Sequence, residues 1–438
     1  KTRPILCQTG PPISEPGPPG NLRRMYSPGH RPRVGAGWAL LGPAFVASVA
    51  YVDPGNVAAN LTAGSRYGYA LVWVLAGASL MAMLIQYQSA KLGLVTGRTL
   101  PQVMRAKLEG KPWRGVVGAG YGVQAFVIAV ATDVAEVVGG ALALHLMFGT
   151  PLWLGGVIVG VVSVVLLWAL RTHGERTFEL AITAVLAIIC AGFLGALWWA
   201  PPDWRATMAG LVPSVPDADA WPLVAAMLGA TVMPHAIYLH SALAIDRHRP
   251  DGRLDIPLRR LLRIQKADVL LALLLAGSVN IGMLLLAAAA LRGEAGDTIE
   301  AAFATISDRV GSAPALVFAI GLLASGVGSA VVGTHAGSRI LKDMIGVPIA
   351  PTVRRVITIG PAVLLLTLGV APTQVLVWSQ VVLSFGVALA AAPLADFTGD
   401  RRLMGEFVDP VWKRVLNWTI VGTIVALNLV MVHWTLTQ

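Results

Sequence analysis

An aspartate, a proline and a glycine stand together in the middle of a hydrophobic stretch: Asp53-Pro54-Gly55-Asn56, inside the apolar run that begins near Trp38. None of the four suits a lipid-spanning helix. A carboxylate at the centre of such a helix costs about 2.5–3.5 kcal/mol even on lenient insertion scales, which marks it as functional by default. Proline has no N–H, so the carbonyl of Ala50, four residues earlier, loses its helical partner. Gly55 then favours unwinding over a simple kink. The stretch predicts a broken helix that presents a carboxylate, a side-chain amide and a freed carbonyl at a depth where water cannot satisfy them. Such a set of groups reads as a cation site.

The same arrangement occurs again at Met233-Pro234-His235, within the apolar run from Trp221 to Ile245, where Pro234 frees the carbonyl of Ala230. A single proline in a membrane helix signals no more than a kink. Two in corresponding positions, one beside an aspartate and the other beside a thioether, point to an inverted-repeat transporter whose discontinuous helices meet at the midplane.

Composition agrees with this class. Hydrophobic residues make up 55% of the chain, charged residues only 13%, and the mean hydropathy is +0.69, whereas a soluble domain carries about 25% charged residues. The chain is therefore an integral membrane protein. Its net charge of +10 does not imply nucleic acid, because the basic residues fall in short loops between apolar spans. The two cysteines, Cys7 and Cys190, exclude a disulfide framework and a cysteine metal site. Residues 1–35 hold GPPISEPGPPG and SPGHRPR without hydrophobic periodicity and read as a disordered cytoplasmic tail.

Eleven apolar spans follow within a transmembrane domain covering 36–438, at about 37–66, 69–95, 115–147, 151–170, 178–200, 219–246, 265–291, 314–341, 355–371, 374–397 and 415–436. With the N-terminus cytoplasmic, 29 of the 33 basic residues lie inside and only Arg66, Arg205, Arg292 and Arg309 outside; this bias sets the orientation and places the C-terminus on the extracellular or periplasmic side. Ten spans divide into two sets of five, 36–200 and 219–397, each opening with a broken helix, and the eleventh follows at 415–436. Five is odd, so the second set is inserted upside down relative to the first. The expected fold is all-α, a LeuT-like 5+5 inverted repeat plus one helix.

Together the two breaks offer the Asp53 carboxylate, the Asn56 amide oxygen, two backbone carbonyls and the Met233 sulfur. Oxygens alone would suit Mg²⁺ or Ca²⁺, whereas a thioether favours a softer ion; the mixed set points to a divalent transition metal. DPGN in the first span, ATVMPHAIYLHSAL at 230–243 and ATDVAEVVGGA at 131–141 resemble the signatures of the Nramp family of proton-coupled divalent-metal transporters, most closely its bacterial manganese-importing members. The resemblance implies metal ligation by Asp53, Asn56, Met233 and the carbonyls of Ala50 and Ala230, with Gln380 approaching the ion in some states. It also implies a proton pathway through Asp53, Asp133, Glu136 and His235, lined by the paired basic residues Arg354 and Arg355 before the ninth span. The methionine argues against the related magnesium-transporting branch.

Asp133 and Glu136 lie three apart on one helical face, untenable in lipid unless they face a polar route. A salt-bridge network with Arg354 and Arg355 that closes the inner side is the alternative reading, and the two are compatible. His235 next to the break is suited to proton handling, whereas His240, Asn280 and Gln124 read as structural hydrogen bonding.

The resulting expectation is a secondary transporter, not an enzyme, in the plasma membrane. Mn²⁺ or another divalent transition metal (Fe²⁺, Co²⁺, Cd²⁺) and protons are its substrates, and the lipid bilayer is its surroundings. No permanently bound cofactor, nucleic acid or obligatory protein partner is expected. A passive divalent-metal channel is the main rival. An intramembrane metalloenzyme is less consistent, since His235 and His240 are five apart and no HExxH occurs.

Overall fold

The structure, a computed structural model, describes residues 42–437 apart from 113, 250, 251, 253, 255, 293–297, 310 and 347–350. The tail at 1–35 lies outside the described residues. The described residues fall within one compact unit, and every regular element among them is a helix.

In chain order these are α1 (Pro43–Val49), a 3₁₀ turn (Ala50–Val52), α2 (Pro54–Tyr67), α3 (Val72–Thr96), α4 (Leu100–Leu108), α5 (Arg114–Phe148), α6 (Leu152–Thr172), α7 (Glu175–Ala196) and α8 (Trp204–Ala209). There follow α9 (Ala220–Thr231), α10 (Pro234–His248), α11 (Leu258–Ala290), α12 (Ile299–Arg309), α13 (Ser312–Ile345), α14 (Pro351–Thr367), α15 (Pro372–Gly399), α16 (Arg401–Met404), a second 3₁₀ turn (Gly405–Phe407) and α17 (Val411–Thr437). Helices occupy the described part of each of the eleven expected stretches, and nine of them among the described residues are long and apolar enough to cross a membrane; the first, α1/α2, is split into short pieces, and α14, at 17 residues, falls just short. The two broken ones are α1/α2 and α9/α10.

The packing is reciprocal between the two sets of five. Numbering spans within each set of five, the first span of one set packs on the second span of the other: α2 on α11 and, reciprocally, α10 on α3. The third spans pack on each other, α5 on α13. Each third span also meets the fifth span of the opposite set, α5 on α15 and α13 on α7, and its fourth span, α5 on α14 and α13 on α6. Glycines let these backbones approach: a Cβ on Gly326 of α13 would stand 2.9 Å from Gly140 of α5, the small-residue contact expected between membrane helices. Burial separates wall from centre. Only 33% of the apolar stretch in α6, α7 and α17 is buried, against 94% for Ala220–His248, so the second broken helix occupies the middle of the bundle.

Several boundaries differ from the sequence reading by four residues or more, and three of them have a clear residue-level reading. The fifth span stops at Ala196 instead of 200, in a turn carrying Trp198 and Trp199. The seventh begins at Leu258 instead of 265, because its first turns carry exposed Arg259 and Arg260, which a hydropathy window discounts. The ninth begins at Pro351, which moves Arg354 and Arg355 from a position before the helix to its first turns, where both are buried.

Candidate functional site

At the first break Asp53 adopts an extended conformation (φ −70°, ψ 166°) between the 3₁₀ turn and Pro54, and it caps α2. Its Oδ1 accepts the Asn56 backbone N–H at 2.8 Å. That donor would have answered the Val52 carbonyl in an unbroken helix. The first N–H groups of a new helix have no intrahelical acceptor, and Pro54 has no N–H, so the carbonyls of Ala50, Tyr51 and Val52 all lose their helical partners. A buried carbonyl needs a donor. Asn280 of α11 supplies one to Tyr51 (Nδ2 to O, 2.8 Å) and Ser325 of α13 supplies one to Val52 (Oγ to O, 2.5 Å). Asn280 is itself held by Asn60, whose Nδ2 donates to its Oδ1 at 3.1 Å.

At the second break α9 ends at Thr231, Val232 and Met233 are non-helical, and Pro234 opens α10 with Met233 at its cap. The two breaks meet at the Asn56 amide. Its Nδ2 lies 2.7 Å from Asp53 Oδ1 and 3.0 Å from the carbonyl oxygen of Ala230, the carbonyl freed by Pro234. Gln380 of α15 reaches the other carboxylate oxygen, Nε2 to Oδ2 at 3.2 Å. Ala50, Asp53, Asn56, Ala230, Met233 and Gln380 are all buried. Asn56 Oδ1 and Gln380 Oε1 have no hydrogen-bond partner. An amide N–H₂ bridging a carboxylate and a carbonyl stands where a small cation could bridge them. Turning either amide about its last bond would present an oxygen to the same point.

The surrounding glycines make this convergence possible. The space a Cβ on Gly55 would need is filled by the Gln380 amide, that on Gly139 by the Pro54 ring, and that on Gly229 by the Gln380 carbonyl.

One face of α5 carries the buried acids. Arg355 Nη1 donates to Asp133 and, at 3.0 Å, to Glu136 Oε2; Arg354 Nη1 is 3.4 Å from Asp133 Oδ2; and the Thr358 hydroxyl also donates to Asp133. All four charged groups are at most 2% exposed. His235 Nδ1 lies 3.3 Å from Thr132 Oγ1, beside Asp133. A small cavity lined by Thr132, His235, Tyr238, Gly333 and Gly337 adjoins them, and the Gly333 carbonyl accepts from Arg354 Nη2 at 3.3 Å. The second break and the acid cluster are therefore neighbours.

Sequence reading missed Ser325, Thr358 and Thr132. A lone hydroxyl in an apolar helix gives no periodic signal, and only its three-dimensional neighbour reveals its use. His240 sits in a buried chain: Nδ1 is 2.7 Å from Gln86 Oε1, and Nε2 is 3.2 Å from Gln265 Nε2. Gln265 also donates to Asp268 at 3.1 Å, and the Asp268 carboxylate accepts the N–H groups of Gly42 and Ala44 at the start of α1. Gln124 donates to the Gly386 carbonyl at 3.3 Å, linking α5 to α15.

Comparison with known proteins places this geometry in context. The family described as Natural resistance-associated macrophage protein-like, Nramp, matches residues 44–433. The chain is 48% identical over 403 residues to the divalent metal cation transporter MntH of Mycobacterium tuberculosis H37Rv, covering 91% of this chain and 92% of that protein. Its structure is similar to that of the Eremococcus coleocola manganese transporter, with a TM-score of 0.78, 27% identity, and coverage of 92% and 88%. The nucleobase-cation-symport-1 family transporter Mhp1 in a closed conformation shares the fold alone, with a TM-score of 0.57, 17% identity, and coverage of 90% and 89%.

Proposed function

The chain belongs to the Nramp family, and on that premise we propose that it imports divalent transition-metal ions together with protons by alternating access. Mn²⁺ is the favoured substrate, with Fe²⁺, Co²⁺ and Cd²⁺ as further candidates. The observation that carries the reading is the Asn56 amide suspended between the Asp53 carboxylate of one broken helix and the Ala230 carbonyl of the other. A metal entering there gains the carboxylate, the two amide oxygens, the carbonyls of Ala50 and Ala230, and the Met233 sulfur. A ligating carboxylate must be deprotonated, so metal arrival releases any proton Asp53 holds. His235 and the Asp133–Glu136 face supply the route from that point towards the cytoplasm. The broken helices then move against the remaining bundle and open the site first outside, then inside.

The basic residues favour a cytoplasmic N-terminus and an outward C-terminus in the plasma membrane. Inward metal flux then gains about 2.3 kcal/mol per charge per 100 mV of membrane potential.

The test is uptake of Mn²⁺, Fe²⁺, Cd²⁺, Mg²⁺ and Ca²⁺ by purified protein in vesicles while internal pH is recorded. Saturable Mn²⁺ uptake with concurrent internal acidification is expected. Metal entry that leaves internal pH unchanged and ignores an imposed pH gradient would identify a channel instead. In the same assay Met233→Ala should raise Ca²⁺ and Mg²⁺ entry relative to Mn²⁺, because the soft donor that those ions gain little from is gone. An unaltered selectivity profile would remove the thioether from the ligand set.

A further inference from the structure

The break in the first helix frees more carbonyls than one ion needs, and the scaffold decides which of them stay available. We propose that Ser325 is a specificity-determining positioning residue, holding the Val52 carbonyl on α13 so that it cannot join the metal's oxygen shell. The inference rests on the ion-binding reading of the two breaks, and adds a residue that touches neither the ion nor its ligands' side chains.

Asp53 takes the Asn56 N–H at 2.8 Å, so the Val52 carbonyl, one peptide unit ahead of Asp53, is left without its helical donor. Ser325 is buried at 0% exposure and its hydroxyl donates to that oxygen at 2.5 Å. The Tyr51 carbonyl is likewise held, by Asn280 at 2.8 Å. Of the three carbonyls in the 3₁₀ turn, those of residues 51 and 52 are held from outside, and the third, Ala50's, loses Pro54 as a helical donor and is left to the local i→i+3 pattern of the turn, with no clamp from another helix among the described residues.

This division has a chemical consequence. Ca²⁺ takes six to eight oxygen ligands in irregular geometry and gains from each added oxygen, whereas a transition ion accepts a mixed oxygen and sulfur set such as the six donors named above. Each carbonyl fastened to the scaffold lowers the oxygen count that a hard ion can collect. Ser325 is placed to do this because α13 is rigidly seated. Gly326, its neighbour, lies against the α5 backbone at Gly140 and Glu136, where a Cβ would stand 2.9–3.0 Å away. The donor is therefore seated with α13 against α5 and is not carried by the broken helix.

Removing the hydroxyl leaves the Val52 oxygen, one residue from Asp53, without the donor that ties it to α13, free to turn towards a cation held at Asp53. In vesicles containing the full-length protein, Ser325→Ala is expected to raise the ratio of Ca²⁺ to Mn²⁺ uptake roughly tenfold, the scale of one net hydrogen bond. Ser325→Cys fills the same space with a weak donor and is expected to give a smaller shift in the same direction; it carries the test if the alanine variant is recovered poorly. A ratio equal to that of the unmodified protein in both variants overturns the proposal, as does an equal loss of both ions, which is what a purely structural hydroxyl would produce. Asp53→Ala run in parallel separates the two levels. Retained uptake in that variant removes the ion site itself, whereas lost uptake there with an unshifted ratio in the Ser325 variants removes only the role of Ser325.

Discussion

Replacement of Asp53 by alanine is expected to abolish divalent-metal uptake, by roughly a hundredfold or more. Changes to groups that merely support a metal ligand already cost 10–100-fold in affinity, and Asp53 supplies formal negative charge at the point where the two breaks meet. The alanine variant also loses the cap of α2, worth about 0.5–2 kcal/mol, so Asp53→Asn is the necessary companion. Its amide oxygen can still accept the Asn56 N–H and hold the turn, while the charge is gone. Both variants should elute as folded protein and both should fail to accumulate Mn²⁺. Ordinary uptake by either would mean that the ion is held elsewhere, and a loss confined to the alanine variant would assign Asp53 to capping.

The reason this residue could be singled out before any coordinates lies in how strongly a membrane punishes exceptions. Asp53, Pro54 and Pro234 each violate a rule that lipid enforces, and each violation has one physical outlet. The proline register alone named the carbonyl of Ala230, and that oxygen is the one 3.0 Å from Asn56 Nδ2. The long apolar helices were legible for the same reason, since hydrophobic length acts over many positions at once.

What stayed hidden acts through single residues and long separations. Gly55 reads in sequence as a helix breaker, yet in the fold it also clears the space into which the Gln380 amide inserts, 325 positions later. Ser325 is a small hydroxyl in an apolar helix, with no local signal that distinguishes it from one bonded to its own helix, as Ser329 is to the Ser325 carbonyl at 2.6 Å; Thr358 makes such bonds to its own helix and reaches Asp133 as well. Arg354 fell outside the ninth span and Arg355 at its very edge because hydropathy assigns charge to water; here their charge is answered by Asp133 and Glu136 across the interface with α5. Buried ion pairs are the case in which a hydropathy scale and the fold must disagree.

That cluster carries the second large expected effect. Arg355→Leu leaves the Asp133 and Glu136 carboxylates buried with only Arg354, at 3.4 Å from Asp133, to oppose them. Stripping one partner from a buried ionic network costs on the order of 3–5 kcal/mol, enough to lower the thermal midpoint of the purified protein markedly and to reduce its yield. Adding Glu136→Gln restores a one-to-one balance between Arg354 and Asp133, so the double variant Arg355→Leu/Glu136→Gln should recover most of that stability. Its transport then separates the two readings of the network. If the acids on α5 relay protons, the refolded double variant binds Mn²⁺ at Asp53 but acidifies the vesicle interior far less than the unmodified protein for the same metal entry. If the network serves only to hold α14 against α5, restored charge balance is sufficient, and proton flux returns together with stability. Internal pH and thermal unfolding measured on the same preparations decide between them, because one outcome moves both quantities together and the other moves stability alone.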